Sequence, residues 1–334
     1  MIELGIITII RTVDKEMFEN DNNSLQYNKE IDGISITGWN EKNQKLQIPV
    51  RIQEVSVTKI EKRAFSEASW LMQLKLPESL QNIGDYAFCE CRGLKELHFP
   101  KEIKRIGSHA FYNCRNIEKV TLPSNLRNIE DGAFKNCRKI STITLHVADE
   151  SLHAMSHLFD ELQQDVTIYL RYEDGTKAAL FFPRDMILYS DYTSRLHNPV
   201  TYGMGYTYRQ TAAFGKMDFL RYDGLFLGAL NDLTSEQLRE IAILRLMESY
   251  QLTEDAKLQY EKYVKTECMN LMREAIRLGD INRIDFLLQE NYLIEEEAQD
   301  AYEFAKMQNQ VEVSAKILQY KTKNFQKTDL EFEL

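Results

Sequence analysis

The chain has 334 residues, of which 43% are hydrophobic and 28% are charged, and its formal net charge is −10. This length favours two or three folding units, and this composition excludes a protein that is disordered over most of its length. No stretch of the sequence approaches the roughly 18 consecutive apolar residues that a membrane span requires.

The charge is unevenly distributed along the chain. Residues 54–146 carry 15 Lys and Arg against 11 Asp and Glu, whereas residues 231–334 carry 13 against 21. Neutralising a nucleic-acid backbone needs a dense Lys/Arg face, which a mildly basic segment in an acidic chain does not supply. The sequence therefore argues against nucleic acid as the main partner.

The first residues predict a strand rather than a targeting segment. The apolar run Ile6 to Ile10 is short, follows Glu3 instead of a basic residue, and lacks a small-residue cleavage site. Five cysteines are an odd number, which suits buried thiols better than a disulfide framework. A reducing, cytoplasmic location is the expectation. Residues 1–59 are predicted to be an N-terminal β region that caps the repeats of residues 60–146.

A period of 23 residues governs residues 60–146. Phe65, Phe88, Phe111 and Phe134 recur at this spacing, and an isoleucine precedes each of them by five residues. Leucine or a similar apolar residue comes next in the pattern L-x-x-L-x-L, which is typical of leucine-rich repeats. Four stacked copies predict a solenoid in which neighbouring repeats bury what a single repeat cannot.

Each repeat predicts a short strand, ended by a proline, and a covering turn. Strands of successive repeats would form a parallel sheet, and the Ala-Phe pair with the following cysteine would lie on a tight helical turn. Cys91, Cys114 and Cys137 share one repeat position. We interpret this row of thiols as core filling rather than a metal or redox site, because no histidine lies in register with it.

The repeats resemble the BspA-like leucine-rich repeats of bacteria. Four copies in phase and an entry segment from Ile34 to Ile60 carry the resemblance, which covers about residues 31–146. It implies a solenoid that recognises proteins or cell surfaces, and many members of the family are secreted. A surface-exposed or secreted adhesin is therefore an alternative to an intracellular role.

Two rows of side chains are candidate interaction surfaces. Outward strand positions are polar and mixed in charge, and they include Lys75, Glu96, His98 and Lys119. The second row, immediately after each cysteine of the repeat, would clamp an acidic peptide or the acidic C-terminal region of the same chain. The alternative for this row is a solvated edge whose arginines pair with nearby glutamates. Its members are Arg92, Arg115 and Arg138.

Residues 147–230 are predicted to be an α/β segment. Two alternating runs flank Asp174-Gly175, a strong hairpin signal. An amphipathic helix over Ser151 to Leu162 carries His153 and His157 one turn apart, but this pair lacks the further ligands of a zinc site. A surface helix without a metal is the interpretation that we prefer.

The densest aromatic stretch runs from Tyr202 to Gln210. Its Gly-x-Gly is a poor phosphate-loop signal, since neither a hydrophobic strand before it nor a helix after it is evident from the sequence. We predict a packing loop, with a docking patch as the alternative. The patch would consist of Tyr202, Tyr206, Tyr208 and Arg209.

Residues 231–334 are predicted to be an all-helical domain. Thr234 and Gln237 form a capping-box pattern, and Thr253 begins a second helix. Residues 275–288 and the following pair of helical patterns resemble ankyrin helix pairs, although the T-P-L-H motif is absent. The fold class is thus mixed α/β: a solenoid with an N-terminal β cap, an α/β segment and a helical domain.

The sequence shows no motif for catalysis, cofactor binding or metal binding that rises above chance. We therefore expect a non-enzymatic protein-interaction scaffold whose protein partner remains to be identified. Besides the adhesin, one further alternative is an enzyme with its site in residues 150–230. Its polar candidates would be Arg171, Glu173, Asp185, Arg209 and Gln210.

Overall fold

Short parallel strands build most of the N-terminal part of the chain. The structure is a computed structural model that describes residues 5–8, 24–148, 158–159, 161–184, 186–188, 200–212 and 215–325. The chain divides into two compact units, residues 1–225 and 226–334. The strands are β1 Gly5–Thr8, β2 Ser24–Glu30, β3 Gly33–Trp39, β4 Lys45–Gln47, β5 Arg51–Ile52, β6 Val55–Ile60, β7 Gln73–Lys75, β8 Asn82–Ile83, β9 Glu96–His98, β10 Arg105–Ile106, β11 Lys119–Leu122, β12 Asn128–Ile129, β13 Thr142–Val147, β14 Val166–Tyr172, β15 Lys177–Phe182, β16 Met186–Leu188 and β17 Val200–Tyr202.

Two sheets run along the solenoid. One has the order β1-β2-β3-β6-β8-β10-β12, in which β1 to β3 are antiparallel and the strands from β3 onward are parallel, while β5 pairs with β6 beside this path. The other has the order β15-β14-β13-β11-β9, and β4 pairs with β7. The N-terminal β region is therefore hydrogen-bonded onto the solenoid through β3, whereas β4, which lies within the predicted cap of residues 1–59, belongs to the solenoid itself. The predicted strand over Ile6 to Ile10 is β1, although Ile9 and Ile10 lie outside the described residues.

The 23-residue period sets the strand register. Ile60, Ile83, Ile106 and Ile129 are direct partners across β6, β8, β10 and β12. The four repeats predicted over residues 60–146 prove too few, because the side of the solenoid that holds β4, β7, β9, β11, β13 and β14 has six turns. The two extra turns break the period: Leu46 pairs with Leu74, 28 residues on, and Ile143 pairs with Ile168, 25 residues on.

The four phenylalanines of the repeat stack inside the solenoid, as predicted. Ring centroids of Phe65 and Phe88 are 5.0 Å apart, those of Phe88 and Phe111 are 5.2 Å apart, and those of Phe111 and Phe134 are 5.5 Å apart. Interplanar angles of 5° to 8° show that the rings lie parallel. Phe99 packs edge-on against Phe111 at 5.6 Å. This ladder is the continuous core that only stacking can create.

The Ala-Phe segments of the repeats form consecutive hydrogen-bonded turns. The prediction that each Ala-Phe pair lies on a tight helical turn is therefore wrong. Two positions in each repeat have positive φ, for example Tyr86 at 55° and Glu90 at 64°. A helix cannot pass through left-handed residues. In the first three repeats the phenylalanine N–H instead donates to the alanine carbonyl of the next repeat, as Phe88 does to Ala110 at 2.8 Å.

The row of thiols is buried and reduced. Cys91, Cys114 and Cys137 donate to the carbonyls of Phe65, Phe88 and Phe111 at 3.2, 3.1 and 3.1 Å. All five cysteines of the chain are free. The predicted role as core filling is confirmed by this burial, and each thiol adds a weak second hydrogen bond to a carbonyl that already accepts a backbone N–H of its own turn.

Residues after β13 close the solenoid. β14 continues the parallel sheet, and β15 returns antiparallel to it through the predicted turn at Asp174-Gly175, where Gly175 has φ 86°. Gln164 donates to the carbonyls of Cys137 and Ile140 at 3.1 and 3.0 Å. Of the predicted helix over Ser151 to Leu162, residues 158, 159 and 161 are helical, and His153 and His157 lie outside the described residues.

Helices form the rest of the described chain. They are α1 Met204–Arg209, followed by a 3-10 turn at Gln210–Ala212, then α2 Phe219–Gly224, α3 Phe226–Ala229, α4 Ser235–Met247, α5 Glu254–Thr266, α6 Cys268–Leu278, α7 Ile281–Gln289, α8 Glu295–Met307 and α9 Val311–Phe325. The capping box of Thr234 and Gln237 is confirmed, with both hydrogen bonds present. Thr253 also caps its helix, accepting from the N–H of Ala256 at 3.3 Å.

The last four helices are two helix pairs. The α6/α7 pair and the α8/α9 pair pack against each other, and left-handed Gly279 and Asn309 end the first helix of each pair. The next N–H in each case returns to an alanine carbonyl, Asp280 to Ala275 and Gln310 to Ala305. This is the Schellman arrangement, and it occurs at equivalent places 30 residues apart in the two pairs. None of the described helices is both long and apolar enough to cross a bilayer.

Candidate functional site

Outward side chains of six successive strands make one face of the solenoid, which we call the strand face. Inward residues such as Leu97, Val120 and Ile143 are buried, and their neighbours in the chain point away from the core. Together with Lys177 of the adjacent strand β15, the face carries five Lys or Arg residues and one Glu. Its members are Lys45, Gln47, Gln73, Lys75, Glu96, His98, Lys119, Thr121, Thr142, Thr144, His146, Thr167, Tyr169 and Arg171, with Lys177 of β15 beside them.

The strand residues predicted as interaction candidates are all exposed on this face. Lys119 Nζ and His98 Nε2 lie 3.5 and 3.7 Å from the carboxylate of Glu96, and His98 Nδ1 is 3.2 Å from Thr121 Oγ1. Lys75 lies on the preceding strand. Because these contacts are exposed, each contributes little free energy to folding, and the polar side chains can exchange them for contacts with a partner.

Sequence reasoning missed the aromatic part of the strand face. Tyr169 and Arg171 lie on β14, both half-buried, and the guanidinium is 4.9 Å from the ring centroid. Arg171 also donates to the carbonyl of Leu170 at 3.0 Å. Tyrosine and arginine are the residue types that most often dominate interface energy. The alternation over residues 166–172 was visible in the sequence, but its place in the solenoid was not, because β14 lies two residues out of period.

The arginine row lies on the turns, away from the strand face. Arg92, Arg115 and Arg138 are exposed. Arg92 forms an ion pair with Glu90, with Nη2 and Oε2 2.7 Å apart, and Asn113 donates to the same carboxylate. Partial burial acts to raise the pKa of Glu90, but the hydrogen bonds from Asn113 and Arg92 bring it below its ordinary value. At Arg92 the structure therefore shows the alternative considered for this row, an exposed arginine paired with a nearby glutamate.

The aromatic stretch from Tyr202 to Gln210 is not a loop, and half of its candidate docking patch is buried. A strand ends at Tyr202 and α1 begins at Met204, which corrects the expectation that neither element frames the stretch. Tyr202 and Tyr206 are 39% and 38% exposed, whereas Tyr208 and Arg209 are 0% and 3% exposed. Periodicity over so short a helix cannot tell an aromatic core from an aromatic surface.

The side chain of Arg209 forms hydrogen bonds with backbone carbonyls and is not exposed to a partner. Its guanidinium donates to the carbonyl of Pro183 and, at 2.7 Å, to the carbonyl of Gln164. Gln164 in turn caps the last repeat through Cys137 and Ile140. Arg209 therefore stabilises the closure of the solenoid.

Three of the polar residues proposed for a catalytic site, Arg171, Glu173 and Arg209, do not converge. Arg171 lies on the strand face, Glu173 is exposed in the hairpin turn, and Arg209 is buried among backbone carbonyls. Asp185 lies outside the described residues. Across the described ranges, no group of three or more His, Cys, Asp or Glu side chains is arranged to hold a metal ion.

Two half-buried carboxyl groups have raised pKa values, and both have structural partners. Burial raises the pKa of Glu161 to about 7, and the group accepts the N–H of Phe134 at 2.6 Å. Burial also raises the pKa of Glu274, whose carboxylate lies 3.6 Å from Arg239 Nε. Perturbed carboxyl groups are often catalytic, but these two lie in different units, and they contact a backbone N–H and an arginine.

Comparisons with known proteins agree with the solenoid. The family model described as BspA type Leucine rich repeat region (6 copies) matches residues 41–160. A comparison with curated protein sequences found no match. The resemblance of the C-terminal helices to ankyrin repeats is not confirmed.

Solved leucine-rich repeat proteins are similar to part of the chain. One from T. pallidum is 25% identical with a TM-score of 0.32, over 37% of this chain and 72% of that one. Another, from Bacteroides capillosus, is 23% identical with a TM-score of 0.34, over 36% of this chain and 93% of that one. A third, from Bacteroides ovatus, is 23% identical with a TM-score of 0.27, over 30% of this chain and 31% of that one. Residues 41–160 are therefore similar to the BspA-type leucine-rich repeats, and the solenoid continues beyond them into β14.

Proposed function

We propose that this chain is a non-enzymatic interaction scaffold that binds a protein partner on the strand face. The observation that supports this most is the position of Tyr169 and Arg171, a half-buried aromatic and basic pair on an otherwise polar sheet face. A partner that covers the pair would desolvate a large ring and a guanidinium together, and such contacts carry most of the free energy of binding in known interfaces.

The surroundings of this pair favour an acidic partner surface. In register with Arg171 are His146 on one side and Lys177 on the other, and Lys119 lies two strands away. Glu96 is the acidic residue of the strand face, and it is already engaged by Lys119 and His98. Complementary charge would raise the rate of association and select the partner.

Affinity capture from a native cell lysate tests this proposal. The full chain is immobilised as the wild type and as the double variant Tyr169→Ala, Arg171→Gln. We expect the variant to lose the captured partner while its thermal unfolding stays close to that of the wild type. A matched control pair lies on the turns rather than on the strand face: Arg63 is 5.3 Å from the ring centroid of Tyr86.

The control variant, Tyr86→Ala with Arg63→Gln, removes a similar arginine and tyrosine pair outside the strand face. It should capture the partner as the wild type does. Equal loss of capture in both double variants would contradict the proposal, since it would show a general effect on the solenoid.

We propose the cytoplasm as the site of action, supported by five free thiols, since oxidising compartments tend to convert such thiols to disulfides. Fractionation of native cells with an antibody to the chain tests this. Recovery in washed cell envelopes, together with cleavage by external protease, would instead favour the adhesin.

A further inference from the structure

The turns of the solenoid carry a gradient of charge. We call the five residues after each phenylalanine of the ladder the turn edge; they are residues 66–70, 89–93, 112–116 and 135–139. Their formal charges are −1, 0, +1 and +3 in chain order. Positive charge therefore accumulates at the C-terminal end of the solenoid.

One repeat position accounts for much of this gradient. It is occupied by Glu67, Glu90, Asn113 and Asn136, whose φ values of 66°, 64°, 61° and 66° show the same left-handed backbone in all four turns. In the second turn the carboxylate of Glu90 pairs with Arg92 two residues on. An asparagine amide carries no charge, so the equivalent arginines of the third and fourth turns have lost this internal partner.

The cations of the last turn are exposed to solvent. Lys135, Arg138 and Lys139 are exposed, and within the part of the chain that the structure describes their side chains make no hydrogen bond, ion pair or ring contact. Arg115 lies one repeat before Arg138. It interacts electrostatically with Glu90 but does not form an ion pair with it. Neighbouring repeats are about 4.8 Å apart, so these four side chains can converge on one short ligand.

We infer that Arg115, Lys135, Arg138 and Lys139 form a second binding site, which takes an acidic segment of a partner protein. Arginine forms bidentate hydrogen bonds with a carboxylate, and carboxylates one helical turn apart, about 5.4 Å, match the spacing of the two arginines. A polyanion such as nucleic acid is a poorer match, because the chain as a whole carries −10 and the cations cover only two turns. This site lies on the turn edge and goes beyond the function proposed for the strand face.

Fluorescence anisotropy with two labelled peptides tests the inference on the full chain. One peptide has four glutamates in a short helix-forming sequence, and the other has glutamine at the same positions. We expect the glutamate peptide alone to bind. Its affinity should fall more than tenfold between about 0.05 and 0.5 M NaCl, because screening shortens the range of the interaction to a few Å.

Variants locate the site. Arg115→Glu with Arg138→Glu should weaken binding more than tenfold. Arg92→Glu is the matched control: it reverses a charge at the same repeat position, but one that Glu90 already neutralises, and it should change the affinity less than threefold. Asn136→Glu leaves every cation in place and restores the internal partner, and it should also weaken binding. Thermal unfolding of each variant checks that the solenoid is intact.

Three outcomes would overturn the inference. They are failure of the glutamate peptide to bind at low salt, an equal loss of affinity in Arg92→Glu, and tighter binding of a single-stranded oligonucleotide than of the glutamate peptide. The last outcome would assign the site to nucleic acid.

Discussion

Glu161 accepts the backbone N–H of Phe134 at 2.6 Å, in the place that a backbone carbonyl occupies in the preceding repeat. There the N–H of Phe111 donates to the carbonyl of Ala133 at 2.8 Å, and the same bond joins Phe88 to Ala110. Among the described residues, no further turn of the same kind supplies this carbonyl to the fourth turn. A side-chain carboxyl group therefore ends a ladder of backbone hydrogen bonds, which leaves the last N–H satisfied.

The stability of the chain should depend on the protonation of this group. Burial raises the pKa of Glu161 from 4.5 to about 7, and Asp131 acts in the same direction, while the N–H groups of Phe134 and Gly132 oppose the shift. Between these two pH values the folded state binds the proton more tightly than the unfolded state. The free energy of unfolding should therefore fall as pH rises from about 4.5 through about 7, by an amount on the order of 1 to 3 kcal/mol.

Urea unfolding at a series of pH values measures this dependence. Glu161→Gln keeps an acceptor oxygen but has no proton to lose, so its unfolding free energy should lack the fall that the wild type shows over this window. Glu78→Gln, at an exposed position, is the control and should follow the wild type. Parallel curves for the wild type and Glu161→Gln would show that the carboxyl group is not buried.

The aromatic ladder should carry much of the stability of the solenoid. Phe111 is fully buried and stacks between Phe88 and Phe134. Phe111→Ala should lower the free energy of unfolding by about 3 to 5 kcal/mol, because neighbouring rings cannot close the cavity. Chemical denaturation with Lys119→Ala as an exposed control measures this. A loss below about 1 kcal/mol would mean that the ladder does not form.

Thiol reagents should distinguish the buried row of Cys91, Cys114 and Cys137 from the nearby Cys89. Burial raises the pKa of Cys114 and Cys137, which disfavours the reactive thiolate, whereas Cys89 is only partly buried. A disulfide reagent at neutral pH should therefore modify Cys89 first, and the ladder thiols should react only after denaturant is added. Mass spectrometry of the labelled peptides identifies each site. Rapid labelling of Cys114 in the native protein would disprove the buried ladder.

In the helical unit, Arg245 should stabilise the fold mainly through its hydrogen bonds to backbone carbonyls. It is fully buried, and its guanidinium donates to the carbonyls of Glu248 and Tyr250 at 3.3 and 3.1 Å, just beyond the end of α4. Arg245→Met keeps most of the volume but removes these donors. We expect a loss of about 2 to 4 kcal/mol, since buried carbonyls would be left without partners. Far-UV circular dichroism melts measure this loss. Arg277→Met, at an exposed position, is the control and should change the free energy of unfolding little.

Much of the solenoid was predictable because its contacts are local. Each turn touches only the next, so a residue type repeated every 23 positions must stack on itself, as Phe88 does on Phe111. Cysteine and isoleucine at fixed offsets then occupy equivalent places without further information. The capping box at Thr234 was predictable for the same reason, since it involves residues three apart.

Other features depended on where distant segments meet. Tyr206 and Tyr208 look alike in the sequence, yet one is exposed and the other buried, because packing against β15 and α2 decides which side of a short helix is covered. The end of the array was also hidden. Tyr169 joined the strand face only because the chain returned, out of period, to pair β14 with β13.

The sequence by itself determined the repeating unit of this protein, its stacked core and the row of free thiols, because these depend on periodicity and neighbour contacts. Only the tertiary structure decided how the array ends and which surfaces remain open. Glu161 replaces a carbonyl that a further repeat would have provided, and Arg209 reaches back 45 residues to Gln164. Such long-range pairings depend on the path of the whole chain, and no local pattern of residues encodes them.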